Sequence, residues 1–377
     1  MKRILTLFPP IVLLLAACSA PPESVIQNVE VPVTVFVTVE RPVEVTRVVE
    51  VTREVTVTQI VTAEPTAVAE QPVTSIPLAG PAADSNAEIS GLAWYGDYLI
   101  LLPQYPDFAA PGEAFLYALP EADILAFLDG ASSEPLQPIA VPFIAPDLSQ
   151  TIAGFEGYEA VAFAGDRAFI AVEASPRDGM RGYVLAGTMA PDLSGLTVDT
   201  AVMGELPPQS QSPNKAYEAL LLAGDSLLAF YEVNGALVNP APAAHRFDQA
   251  LNATGTISVS ALEYRLTDVT ELDANGRFWA LNFFFQGDSD LLPAVDPLVE
   301  KYGEGPSHSR YDPVERLVEF QYDESGIRLT ETPPIQLELF LGVPRNWEGV
   351  ARLDGRGFLL ATDKFPETIL AFIPNAD

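Results

Sequence analysis

The residues most able to do chemistry in this chain are acids that recur at a fixed spacing. Five segments share one pattern: EISGLAWYGDYLILLPQ from Glu88, GYEAVAFAGDRAFIAVE from Gly157, AYEALLLAGDSLLAFYE from Ala216, LTDVTELDANGRFWALN from Leu266 and WEGVARLDGRGFLLATD from Trp347. Aligned on their turns, they place Ser90, Glu159, Glu218, Asp268 and Glu348 at one equivalent position. A second position holds Gln104, Glu173, Glu232, Asn282 and Asp363, 14 residues later in the first four segments and 15 in the fifth. All ten are polar and seven are carboxylates. Gathered within a few ångströms, such groups cannot all stay ionised, so either some take up protons or a cation sits among them. An oxygen set of Glu159, Glu173, Glu218, Glu232, Asp268, Asn282, Glu348 and Asp363, without Cys or His, suits a hard cation of flexible geometry, and calcium is the expectation. The plainer alternative is that strand ends are where polar side chains meet water.

Cations gather in the loops beside these positions: Arg177, Arg181, Lys215, Arg265, Lys301, Arg310, Arg345 and Lys364. A metal that polarises one oxygen, with guanidinium and ammonium groups on others, would hold an anionic substrate, and Arg177, Arg181, Lys215, Arg345 and Lys364 are the candidates for that contact. Ordinary surface solubility is the alternative. Hydrolysis would then run through a metal-bound water, with Glu159 or Glu348 as general base. A serine relay has little support. The chain has no GxSxG elbow, and Ser307-His308-Ser309 lies in a long interval, 287–312, that reads as a lid. The rival class is binding without turnover, with rim aromatics such as Trp94, Tyr105 and Trp347 stacking on a ligand and any cation purely structural.

The elements that must position these residues are hairpins. Each segment is a short alternating strand, a tight turn with Gly, Asp or Asn, and a second apolar strand. Further strand-like stretches follow, so the unit is a four-stranded antiparallel meander. Five such units predict an all-β fold, a five-bladed β-propeller in which the first strand lines a central channel. Because the two strands of a hairpin run antiparallel, both aligned positions fall at one mouth of that channel. The last unit has room for three strands, the third at 368–373, and residues 72–78 can supply its outer strand and close the ring. Six blades is the alternative, if a divergent unit hides within 286–345; a β-sandwich would not require the same hairpin five times.

The front of the chain is different in kind. Lys2 and Arg3 precede an apolar run at 4–15, which ends in Leu15-Ala16-Ala17-Cys18. This resembles the lipobox of bacterial lipoproteins, which implies a signal peptide at 1–17, lipidation of Cys18, and a membrane-anchored protein of the cell envelope facing the extracytoplasmic side. The alternative is a plain signal peptide or short membrane helix; the run falls short of a bilayer span. Residues 18–70 are rich in Val, Thr, Glu and Pro. There Val43-Glu44-Val45-Thr46-Arg47 recurs as Val49-Glu50-Val51-Thr52-Arg53, a period that keeps each side chain on one face of a strand. This reads as an extended stalk, either a disordered spacer or a β-rich segment that pairs with copies of itself. The propeller domain then occupies 71–377. With 51 Asp and Glu against 20 Lys and Arg, a net charge of −31 disfavours nucleic acid. One cysteine and two histidines leave no material for a disulfide framework or a Cys/His zinc site.

WEGVA at 347–351, its echo YEAVA at 158–162 and strands ending in acids resemble the phytase-like domain (esterase-like activity of phytase) of bacterial secreted proteins, over about residues 80–377. Similar acidic-mouthed propellers include calcium-activated nucleotidases and calcium-dependent lactonases. The resemblance implies calcium and a hydrolase of phosphoesters or other esters. Only one copy of the motif has Glu followed by Gly, and the first unit carries Ser90 in place of the acid.

Overall fold

The computed structural model describes residues 24–34, 50–60 and 68–375, apart from positions 178 and 354. Cys18 and the first copy of the stalk repeat lie outside the described residues. The chain divides into two compact units, Met1–Thr66 and Ala67–Asp377. In the first, strands Ser24–Thr34 and Glu50–Ile60 form a two-stranded antiparallel sheet, with Ser24 opposite Ile60 and Thr34 opposite Glu50. No helix among the described residues is long and apolar enough to cross a membrane.

The second unit is mostly β, built of antiparallel four-stranded meanders. Blade 1 comprises Ile89–Tyr95, Tyr98–Pro103, Phe115–Pro120 and Ile139–Ile144. Blade 2 comprises Phe155–Ala164, Arg167–Ala174, Arg181–Met189 and Leu196–Leu206. Blade 3 comprises Tyr217–Ala223, Ser226–Tyr231, Ala243–Asp248 and Ala253–Ser258. Blade 4 runs Leu262–Val269, Arg277–Phe284 and Val314–Asp323, and its outer edge is shared by Gly326–Leu329 and Ile335–Leu337. Blade 5 has three strands from the end of the chain, Trp347–Leu353, Gly357–Thr362 and Leu370–Pro374. Its fourth strand is Thr74–Ile76, paired antiparallel with Leu370–Phe372.

Both faces of each blade are apolar, and successive residues of a strand feed different cores. In blade 1, Ile100 and Leu102 pack toward blade 2 with Val161 and Ile170, while Leu99 and Leu101 pack toward blade 5 with Leu359 and Ala361. The same alternation sends Phe169 toward blade 3, and Leu228 and Phe230 toward blade 4. Trp279 and Leu281 pack against Trp347 and Leu360 of blade 5. The alternation is the period-2 signature of a strand buried on both sides. Five cores lie at five blade interfaces, and the inner strand of blade 5 packs on that of blade 1, so the ring closes at five. The interval that might have hidden a sixth blade holds a 3-10 helix at Gln286–Leu291 and a short α-helix at Pro297–Tyr302, and its strands, Val314–Asp323, Gly326–Leu329 and Ile335–Leu337, belong to blade 4.

Gly349 shows how closely the inner strands approach. A Cβ there would stand 2.7 Å from Leu92 Cγ of blade 1 and 3.3 Å from Ala361 Cβ, so the position admits only a hydrogen. This explains the small residue after the glutamate in WEGVA.

Candidate functional site

Each inner strand carries a bulge at the same height. The ladder to the second strand skips one residue in every blade: Ser90, Glu159, Glu218, Thr267 and Glu348. A bulge leaves one residue outside the ladder and re-aims its side chain. Two residues before each bulge, the second strand is met at Gln104, Glu173, Glu232, Phe283 and Asp363. These residues surround one end of the channel, where a cavity of about 600 Å³ is lined by Gln104, Glu159, Glu173, Glu218, Glu232, Phe283, Glu348 and Asp363.

Blade 4 therefore departs from the spacing read off the sequence. Its turn is longer: the strand pair ends at Val269 opposite Ala280, whereas blades 1 to 3 close with two-residue turns such as Gly224-Asp225. The ring positions of blade 4 are thus Thr267 and Phe283, and the expected Asp268 and Asn282 are their neighbours, which face the other way. Asp268 is buried. Its Oδ1 accepts the Val269 N–H and its Oδ2 the Val350 N–H of blade 5, each at 2.8 Å, with a further hydrogen bond from the Leu92 backbone of blade 1. Burial pushes its carboxyl well above the usual range, with those N–H groups pulling the other way. Asn282 is equally structural. Its Nδ2 donates to the carbonyls of Glu263 (2.9 Å) and Arg265 (2.8 Å), and its Oδ1 accepts from Arg316 Nε at 2.8 Å.

The centre of the mouth is held by Arg265, which stands on blade 4 where other blades carry Glu88, Gly157, Ala216 and Asn346. Its Nη2 donates to Glu218 Oε1 at 3.1 Å and to Glu348 Oε1 at 3.0 Å, its Nε to Glu232, and its Nη1 to Asn346 Oδ1 at 3.0 Å. A second buried cation, Lys215, reaches Glu232 Oε1 at 3.3 Å and Asp288 Oδ1 at 3.2 Å. Seven carboxylates, Glu159, Glu173, Glu218, Glu232, Asp288, Glu348 and Asp363, share the cavity with these two cations.

The charge imbalance divides the acids. Burial and then the charges of Glu173 and Glu348 push Glu159 well above the carboxylate range, and its contact is Gln104 Nε2 at 3.0 Å rather than a cation. Glu173 is pushed up to about 7 by burial and by Glu232, and Glu348 to about 8 by burial and Asp363, against the pull of Arg265. Burial raises Glu218 and Asp363 as well. Glu232 alone of this ring moves down. Burial opposes its charge, but Arg265, Lys215 and a hydrogen bond with Glu218 outweigh it. One mouth thus contains both carboxylic acids and a firmly ionised carboxylate.

No family model matches the chain, and no curated protein matches it. It is similar in structure to five-bladed β-propeller glycoside hydrolases. A putative glycoside hydrolase from Parabacteroides distasonis superposes with TM-score 0.45 and 11% identity over 83% of this chain and 95% of that one. An endo-arabinanase from Bacillus licheniformis gives 0.46 and 10% over 80% and 97%. An exo-1,5-α-L-arabinanase from a bovine ruminal metagenomic library gives 0.43 and 9% over 80% and 97%. Likeness at this level says nothing of what this chain acts on.

Of the five cations expected to contact substrate, Lys215 alone lines the cavity. Arg181 pairs with Glu205 at 3.0 Å, and Lys364 with Glu88. Arg345 is buried against Glu315, with Nε to Oε2 at 2.9 Å, and lies over the Trp347 ring; Arg177 is exposed. Nor does the calcium set assemble. Asp268 and Asn282 are turned away, the cationic Arg265 stands between the acids of blades 3 and 5, and no three His, Cys, Asp or Glu among the described residues converge closely enough to ligate a metal. The donor set does not fit the ion implied by the phytase-like resemblance.

The interval 287–312 is fastened down. Glu70 accepts from the backbone N–H of Ser307 and His308, and His308 Nδ1 lies 2.8 Å from its carboxylate. His308 Nε2 accepts the Glu315 N–H at 3.3 Å, so both ring nitrogens are committed and no serine relay forms there. Burial would raise Glu70, but these hydrogen bonds hold it below the ordinary value. The interval contributes Asp288 to the cavity instead of a relay.

The sequence reading missed Arg265 as the hub, together with Phe283, Asp288 and Asn346. The readable signal was the long turn TELDANGR, which shifts blade 4 relative to its neighbours.

Proposed function

We propose that the mouth is the active site of a hydrolase that cleaves a glycosidic bond in a neutral, hydroxyl-rich substrate by general acid and base catalysis. The observation that carries this reading is the split of protonation within one cavity, where a carboxyl group kept neutral lies beside one that ionises near neutrality. Glycoside hydrolysis needs that pair, an acid to protonate the leaving oxygen and a carboxylate to act as base or nucleophile. Glu159, free of cation contacts and raised well above the carboxylate range, takes the role of acid. Glu173, at about 7, takes the role of carboxylate. Groups held protonated at neutral pH are poor general bases, so this assignment departs from the expected use of Glu159 and Glu348 as bases.

The walls support a sugar over an anion. Phe285 and Phe365 offer apolar surface, the acids accept hydroxyl hydrogen bonds, and the two cations that reach the cavity are already engaged by Glu218, Glu232, Asp288 and Glu348. A phosphoester would meet an excess of negative charge. Anchoring through Cys18, an extracytoplasmic location and self-association of the stalk are part of the proposal, and so is a role for the protein at the cell envelope.

A panel of aryl glycosides, aryl esters and phosphoesters offered to the full chain tests this reading. Turnover of a glycoside that disappears in Glu159→Gln supports it. Turnover of esters or phosphoesters alone overturns it.

The second reading is recognition without turnover. It is favoured by the apolar rim: Phe340 and Leu341 are 68% and 69% exposed, close in sequence to Val343, and Phe365 is 62% exposed. Such a collar suits a bound macromolecule.

A further inference from the structure

We infer that Arg265 is a positioning residue that takes, inside the mouth, the place of a divalent cation, drawing the carboxylates of blades 3 and 5 together around a side chain from blade 4. The inference does not depend on the bond the site cleaves. Its basis is geometric. One guanidinium reaches Glu218 at 3.1 Å, Glu348 at 3.0 Å, Glu232 and Asn346, and so satisfies acids from two other blades at once. A planar fork with five donors can do this; an ammonium, a point charge, cannot do it with the same reach.

The side chain is held rigidly in place. Asn282 Nδ2 fixes the Arg265 carbonyl at 2.8 Å, Arg316 fixes Asn282 in turn, and the guanidinium lies 5.6 Å from the centre of the Phe283 ring. Every blade places the residue two before its bulge opposite the second-strand ring position, and blade 4 alone carries a cation there, Arg265 opposite Phe283, where the others carry Glu88, Gly157, Ala216 and Asn346. Calcium in an all-oxygen mouth and arginine in this one are two solutions to the same repulsion between acids.

Glu218, Glu232 and Glu348 are spaced around the guanidinium and do not converge as metal ligands while it is there, so removing it should leave them free to close on an added divalent cation. The experiment is thermal melting and calorimetry of the full chain with and without millimolar calcium, for the natural protein, Arg265→Met and Arg265→Lys. The natural chain and Arg265→Lys are expected to melt at the same temperature with or without calcium. Arg265→Met is expected to melt several degrees lower without calcium, to recover with it, and to bind about one ion per chain. If Arg265→Met folds only when calcium is present during refolding, the inference is equally supported. Stoichiometric calcium binding by the natural chain would overturn it, and so would an Arg265→Met protein that is indifferent to calcium or stays unfolded in its presence.

Discussion

Arg265 Nη2 on blade 4 stands 3.0 Å from Glu348 Oε1 on blade 5, and the same nitrogen reaches Glu218 of blade 3 at 3.1 Å. One side chain thus bridges three of the five blades where the channel opens, so the group that sets the electrostatics of the mouth also contributes to the cohesion of the ring. Charges taken out of water cost several kcal/mol each unless paired, and a broken buried network leaves the partners uncompensated.

Replacing Arg265 with Ala in the absence of added metal should destabilise the chain by about 3–5 kcal/mol, the range for removing one partner of a buried ion pair. Chemical denaturation read by intrinsic fluorescence measures this. A change within about 0.5 kcal/mol, the usual range for surface substitutions, would mean that the pairing does not hold the ring together.

Asp268 is expected to act on stability and not on turnover. It lies outside the cavity lining and holds N–H groups of blades 1, 4 and 5. Asp268→Ala leaves those donors buried and unmatched, at about 1–3 kcal/mol for each that finds no other partner. Asp268→Asn, which keeps an acceptor, should cost less. Equal losses for both variants in a denaturation series would contradict the acceptor role assigned to the Asp268 carboxyl oxygens.

Gly349→Ala tests the contact between blades 5 and 1. The added methyl would meet Leu92 Cγ at 2.7 Å, and overpacking of this kind costs about 1–3 kcal/mol. The same change at Gly96, whose added Cβ would meet nothing within 4 Å but whose φ is +57°, separates backbone strain from crowding when the two melts are compared.

Stability should fall as pH rises from acid to mildly alkaline. Glu173 and Glu348 are raised from 4.5 to about 7 and about 8, and Glu159 and Glu218 are raised too, so the folded chain keeps protons that the unfolded chain releases. Where the folded state binds more protons, the slope of unfolding free energy against pH is negative. This stabilisation is fully present below about 4.5 and is lost through 7 to 8. Glu232 and Glu70, both lowered, act in the opposite sense at the acid end. Melting temperatures across that range should therefore peak on the acid side of neutrality, and a flat profile from pH 5 to 8 would argue against the raised acids.

Much of the ring was legible because hairpin chemistry repeats. The turns Gly96-Asp97, Gly165-Asp166 and Gly224-Asp225 mark blades 1 to 3, and the apolar alternation on either side marks strands buried on both faces. Glu159, Glu173, Glu218, Glu232, Glu348 and Asp363 were readable as one mouth for the same reason. Blade 4 was not, because a turn longer by two residues moves Thr267 and Phe283 into the ring while the acids nearby in sequence, Asp268 among them, face elsewhere. A fixed spacing of 14 residues misses a register shift that hydrogen bonding across strands decides, although the long turn TELDANGR signals it. The pairing of Arg345 with Glu315 and of Lys364 with Glu88 was equally out of reach, since each joins residues distant in sequence.

The pH dependence of glycoside turnover by the full chain, measured beside Glu159→Gln and Glu173→Gln, tests the central claim most directly. The account predicts a bell, with activity rising as pH passes about 7, where Glu173 ionises, and falling again where Glu159 loses its proton. Glu159→Gln should lower the rate by about 10²–10⁴-fold and remove the alkaline limb. Turnover that keeps its full rate and both limbs in Glu159→Gln and Glu173→Gln would contradict the assignment of these two residues as acid and carboxylate.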